Sequence, residues 1–194
     1  MSVAAYKLGS WPGHNSPNLP VEPDHEHRYG HRFEVEQTTG PDRIKIGADN
    51  HRVKLLIALT ECLAPPLYML YVLHVPRSGS EAARYESPLL DQEKLAEFIW
   101  TFSEFFQRDA RHDLWVGSID GTGLLVLDSH GLLYAYGPQD RYTAVLRSHG
   151  LENGAVTIPS PHVHHYHMRF DVDEVELLRA FAWEKSPLMS DDRE

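Results

Sequence analysis

Cysteine is nearly missing from this chain. Cys62 is the only one in 194 residues, which excludes an intrachain disulfide framework and a CxxC zinc pair. It lies in the apolar stretch from Leu59 to Leu63, a setting that buries a thiol and leaves it inert. Long apolar runs are missing too. Nothing approaches the ~20 consecutive apolar residues of a membrane span, and Ala64-Pro65-Pro66 interrupts the longest candidate. The N-terminus has no apolar run of signal-peptide length and is broken by Pro and Gly. We therefore expect a soluble, cytoplasmic protein without a membrane partner. Basic residues are scarce: 18 Lys and Arg stand against 28 Asp and Glu, a net charge of −10. No basic run of five occurs, so the clustered cations of a nucleic-acid binder are absent. The acidic balance fits a basic partner instead.

Common catalytic signatures are also missing. There is no GxSxG and no HExxH. Ser118, Ser129 and Ser160 lie near His or Asp, but triads are recognised by geometry and not by adjacency. The run Gly117 to Gly123 lacks the GK[ST] ending of a phosphate loop and reads as a hairpin turn. Repeats and low-complexity tracts do not occur. What remains is an apolar content of 42%, enough to build a core.

The order of elements predicts an α+β fold, mainly one antiparallel sheet with about three helices packed on it. Residues 1–30, rich in Pro and Gly, read as an extended arm that Tyr6 and Trp11 can pin to the body. Its His25, His27 and His31 read as solvated. Residues 31–186 read as one domain and 187–194 as a polar, frayed tail. Phe33 and Val35 alternate with Glu34 and Glu36, and Ile44 and Ile46 with Arg43 and Lys45, which predicts a hairpin. Val53 to Leu63 leans to strand through Val53, Ile57 and the Pro-Pro that follows. Leu67 to Val75 is apolar on both faces, the pattern of a buried strand. Pro76 to Pro88 reads as a loop. Leu95, Phe98, Ile99, Phe102, Phe105 and Phe106 form one stripe of a single core-facing helix, with Trp100 off its centre. Leu114–Ile119, 124–127 and 132–136 predict a meander joined by Gly-containing turns. A helix follows from Pro138 to His149, ended by Gly150. Ala155 to Ile158 opens a further strand. Asp171 and Glu174 resemble a capping box at the start of a last helix, whose Val175, Leu178 and Phe181 face the core.

The densest chemistry is Pro161-His162-Val163-His164-His165-Tyr166-His167, which holds four of thirteen histidines. Histidine changes charge near neutral pH and is the commonest metal ligand. A strand over 163–170 would divide the run by alternation. His164, Tyr166, Met168 and Phe170 then face the core, while His165, His167 and Arg169 form an outward stripe. With His162 and Tyr136, that stripe is the candidate binding surface. His165 and His167 at ~6–7 Å can share one ion, with a third ligand from the turn that carries Asp128 and His130, or from His112 and Asp113. The candidate metal set is therefore His165, His167, His130 and Asp128, suited to zinc.

The segments RHDLWVGS (111–118), LDSHGLLYAYGP (127–138) and IPSPHVHHYHMRFD (158–171) resemble small bacterial immunity partners of polymorphic toxins. The resemblance implies a protein that neutralises a toxin, here a basic one, by occupying its surface, with no cofactor. We prefer this binding role to an enzymatic one. The alternative is a metal-dependent hydrolase built on the His/Asp site, with zinc as its cofactor and no general base evident in the sequence. A structural or oligomerisation domain is the second alternative.

Overall fold

Most of the alternating runs in the sequence become neighbouring strands of one large sheet. The computed structural model describes residues 5–10 and 24–193. In chain order the elements are β1 (Leu8–Ser10), β2 (His25–Glu26), β3 (Arg32–Glu36), β4 (Arg43–Gly47), α1 (Arg52–Thr60), β5 (Leu67–Leu73), β6 (Ala83–Glu86), α2 (Gln92–Thr101) and α3 (Ser103–Arg108). They continue as β7 (His112–Ser118), β8 (Leu124–Leu127), β9 (Leu133–Tyr136), α4 (Gln139–Ser148), β10 (Glu152–Asn153), β11 (His162–His164), α5 (Asp171–Arg179) and β12 (Glu184–Ser186). The fold is α+β. Nine strands form a sheet in the order β10-β3-β4-β9-β8-β7-β5-β6-β12, and β11-β1-β2 form a small second sheet. Among the described residues all strand pairings are antiparallel except β10 with β3, which run parallel, so the large sheet is mixed. Five α-helices, not three, occur among the described residues.

Alternation explains which face carries the core. Ile44, Ile46, Leu114, Val116, Leu125, Leu127, Leu133 and Ala135 are almost fully buried on one side, where α1 packs on β8 and α4 on β9. Asp113, Trp115, Val126 and Tyr134 alternate onto the opposite face. The expected hairpin is present, with Phe33 opposite Ile46 and Val35 opposite Ile44. So is the meander: β7, β8 and β9 pair in succession, and the 117–123 run is its first turn.

Several expectations are corrected. Residues 52–60 are helix α1, not strand, because Val53, Leu56 and Leu59 repeat at helical spacing and all turn inward. The phenylalanine stripe is buried throughout, and Trp100 is 61% exposed. It belongs to two helices, however, broken at Phe102 (φ −100°, ψ 21°). The 76–88 segment holds strand β6, whose Ala83 and Tyr85 alternate inward. Residues 155–158 are not strand; the pairing to β3 is made earlier, by β10.

Just before the expected tail, Glu184–Ser186 adds an edge strand to β6, and within the tail buried Asp192 accepts from Arg84 at 2.8 Å. In the N-terminal segment, Tyr6 OH donates to Asp24 of the same segment, and the contact of its ring with the body is edge-on to His165 at 4.7 Å. His27 is only partly exposed and lies 3.2 Å from Ser10 Oγ. Trp11 and most of the Pro-rich arm lie outside the described residues. Among the described residues, no helix is long and apolar enough to cross a membrane.

Candidate functional site

The histidine run departs most from expectation. Strand pairing covers only β11, where His162, Val163 and His164 stand opposite Ser10, Gly9 and Leu8 of β1. The chain then leaves the ladder, and 168–170 form a 3-10 turn with Met168 75% exposed. A buried ionic network diverts it. Asp109 Oδ2 accepts from His167 N at 2.7 Å, Arg111 Nη2 donates to His167 O at 3.0 Å, and Ala110 N donates to His165 O at 3.0 Å. Arg111 also donates to Asp109 Oδ1 at 2.8 Å and to Glu174 Oε2 at 2.7 Å, with all three side chains shielded from solvent. Glu174 is therefore an ion-pair partner and not a capping-box residue. Asp171 pairs with Arg77 and Arg111, and neither caps α5 through its side chain.

Alternation within β11 puts His162 and His164 on one face. The β8–β9 turn brings His130 to them. Leu132 N donates to Asp128 Oδ1 at 2.8 Å and Gly131 N to Asp128 O at 3.0 Å. Gly131, at φ 78°, takes the left-handed backbone that glycine adopts without strain. Tyr29 OH, from the small core of Leu8, Tyr29, Leu132 and Val156 that joins the two sheets, donates to His130 O at 2.9 Å.

The result is a cluster of three imidazoles. Ring centroids of His130 lie 4.6 Å from His164 and 5.1 Å from His162, and those of His162 and His164 are 5.3 Å apart. One ring nitrogen from each falls within 4.8 Å of the others. Nitrogens on a shared tetrahedral ion stand ~3.4 Å apart, a gap that small side-chain rotations close. Two of the rings are backed as metal ligands are. His130 Nδ1 lies 3.2 Å from Asp128 Oδ2, and His162 Nδ1 lies 2.8 Å from Pro159 O. With protons on these Nδ1 atoms, both Nε2 lone pairs are left for an ion. His164 Nε2 is buried and has no hydrogen-bond partner among the described residues. Burial, then the neighbouring His130 and His162, holds the His164 pKa down to about 4, so its ring is neutral and free to ligate at neutral pH.

The cluster opens into a cavity of about 630 Å³ that also takes in His74, Asp113, Ser129 and Tyr166. A second cavity of about 390 Å³ continues across the open sheet face, sharing Asp113, Ser129 and His130 and adding Trp115, Val126, Tyr134 and Tyr136. Arg43 covers the Tyr134 ring at 4.4 Å and is held by Glu36 at 2.7 Å and by Tyr136 OH at 3.1 Å. Beneath the site, Lys7 is almost wholly buried and donates to Asp128 O at 3.0 Å. Burial pushes its ammonium down to about 8, opposed by the charges of Asp128 and Asp113.

Comparison of the chain with protein-family models, curated proteins and solved structures finds no match.

The expected metal set is only partly assembled. His130 is in the group, and Asp128 stands behind it. His165 and His167 turn the other way and spend their nitrogens on the N-terminal segment. His165 Nε2 is 2.6 Å from Asp24 Oδ2, and His167 Nε2 is 3.0 Å from Tyr6 O. Arg169 is exposed, over the Phe170 ring at 4.5 Å. The outward stripe thus anchors β1 and its flanks, while Tyr136 lines the second cavity and His162 joins the cluster. His112, an expected ligand candidate, is sealed among Tyr71, Phe105 and Phe106. Lys7 and His74 carried no sequence signal. The pairing of His162 with His164 did carry one, an HxH spacing directly after a proline.

Proposed function

We propose that this protein is a metal-dependent hydrolase whose single ion, of the zinc type, is held by His130, His162 and His164. The observation that carries the reading is the three-imidazole group, with Asp128 and the Pro159 carbonyl behind two of its members. A set of three neutral nitrogens leaves a fourth position for water, which is the composition of catalytic rather than structural zinc sites. An ion held by these residues would lower the pKa of a bound water and polarise a substrate carbonyl. Asp113 and Asp128 make the surroundings anionic; Lys7 is buried beneath them, and Arg43, which lines the second cavity with both, is held in an ion pair by Glu36. A phosphate substrate would add negative charge to that setting. Neutral esters or amides would not, and the aromatic second cavity suits an apolar acyl group.

The toxin-neutralising role expected from the sequence draws on net charge and texture, and no particular feature of the open face favours it over the metal site. Equilibrium dialysis against zinc, followed by elemental analysis, tests the proposal. We expect about one zinc per chain in the wild type, and none retained by His164→Ala or His130→Ala. Wild-type protein without stoichiometric zinc after metal-replete expression and dialysis refutes it.

A further inference from the structure

The three-histidine site needs a group to take a proton from the attacking water, and none was evident from sequence. We propose that Asp113, oriented by His74, is that general base; this rests on the metal-hydrolase reading above. Three independent observations support it.

The first is position. Leu114 pairs with Leu127 across β7 and β8, so Asp113 and Asp128 flank that pair on adjacent strands. Directly opposed residues in an antiparallel pair hold their Cβ atoms about 4.5–5.5 Å apart. Asp128 touches His130. Asp113 is thus a cross-strand neighbour of the residue that backs a ligand, and it lines the same cavity as all three histidines.

The second is an orphan acceptor. Asp113 Oδ1 is buried without a hydrogen-bond partner among the described residues. A buried carboxylate oxygen lacking a donor is costly. A water admitted from the adjoining cavity by a small rotation of the side chain would supply the missing donor.

The third is orientation. Asp113 Oδ2 is fixed by His74 Nε2 at 3.1 Å, and the two side chains are equally sheltered at 18% exposure. His74 sits just beyond β5, where its N–H donates to Arg111 O at 2.9 Å. One carboxylate oxygen is therefore held and the other has no donor, which leaves it available to take a proton.

The step balances without any redox partner. A water O–H bond breaks and its proton moves to Asp113 Oδ1. The water oxygen forms a bond to the acyl carbon, and the bond from that carbon to the leaving group breaks. The proton on Asp113 then passes to the leaving alkoxide or amine, or to solvent when the leaving group is as weak a base as 4-nitrophenolate. His74 is a positioning residue and touches no reacting atom.

The test uses zinc-loaded full-length protein and 4-nitrophenyl acetate as the probe, with bound zinc quantified in each sample. Asp113→Asn should retain one zinc per chain and lose about 10²-fold or more in rate, the range of a removed general base. His74→Leu should lose about tenfold. His74→Gln, whose amide can still donate to Asp113, should recover most of that loss, which a purely structural role for His74 would not predict. An Asp113→Asn rate within twofold of wild type, with zinc bound, overturns the role of Asp113 and leaves the metal site standing. Zinc-loaded wild type that hydrolyses the probe no faster than free zinc overturns both. Circular dichroism confirms that each variant is folded, and Asp113→Ala serves where Asp113→Asn is not.

Discussion

Replacing Arg111 by Met should cost this protein a large fraction of its stability. The guanidinium is fully buried and meets two carboxylates with no solvent exposure, Asp109 and Glu174. It also reaches Asp171 at 3.0 Å and the carbonyl of His167 at 3.0 Å. Methionine fills much of the volume but leaves both carboxylates without their cation. Asp109 would keep the N–H groups of Arg111 and His167, and Glu174 would keep Ser78 and the Arg77 N–H. Breaking one side of a buried pair typically costs about 3–5 kcal/mol. Against a usual domain stability of about 5–15 kcal/mol, that is severe. Burial raises the pKa of Glu174, but bonds from Ser78 and Arg111 outweigh it and leave it lowered. This group's contribution is therefore complete above the unfolded carboxyl range and disappears as pH falls through its folded value. Urea unfolding followed by tryptophan fluorescence gives the free energies. The double variant Arg111→Met/Glu174→Leu should be less destabilised than the sum of the singles, by about 0.5–3 kcal/mol. A cost for Arg111→Met below ~1 kcal/mol, or strict additivity, refutes the network as a stabilising unit.

Asp128→Asn would point an amide N–H at His130 Nδ1 and favour the ring tautomer with its proton on Nε2; isothermal titration should show zinc affinity lower by about 10–100-fold. Lys7→Met bears on alkaline stability. The folded chain sheds the Lys7 proton near 8 and the unfolded chain near 10.5, so wild-type stability should gain about 2 kcal/mol between pH 7.5 and 9.5 from this group. Urea midpoints of Lys7→Met should lack that rise, and an identical pH slope in both proteins would contradict the buried ammonium. His165→Ala should leave zinc stoichiometry at the wild-type level while limited proteolysis near residue 24 quickens, because it removes the Asp24 bond and the ring contact with Tyr6 but no member of the three-histidine group.

How much of this was legible depended on the range of the determining contacts. Alternation in 32–47 and 112–136 gave hairpin and meander, because those pairings join neighbours in sequence. Leu95 to Phe106 gave a core-facing helical stripe, though nothing in Thr101-Phe102-Ser103 announced the break. Residues 52–60 misled because Val53, Ile57 and Pro65-Pro66 outweighed a leucine spacing that only packing against the sheet makes decisive. The histidine run failed for a different reason. Alternation was the right rule, but it was applied over 163–170, whereas the ladder ends at His164. What ends it is Asp109 and Arg111, some 55 residues away, and a buried ionic network has no local signature. Once the strand stops, the faces of His165 and His167 no longer follow from those of His162 and His164. Asp113 was legible as a chemical group but not as a base, since its role depends on His74 from another strand end and on an empty hydrogen-bonding position.

The proposed ion is held by His130, His162 and His164. Anomalous diffraction at the zinc edge, from crystals of zinc-loaded protein, tests it most directly. A single strong peak is expected within ~2.0–2.1 Å of a nitrogen from each of these three rings. A peak at His165 and His167, or no peak at the three-histidine group under saturating zinc, would contradict it.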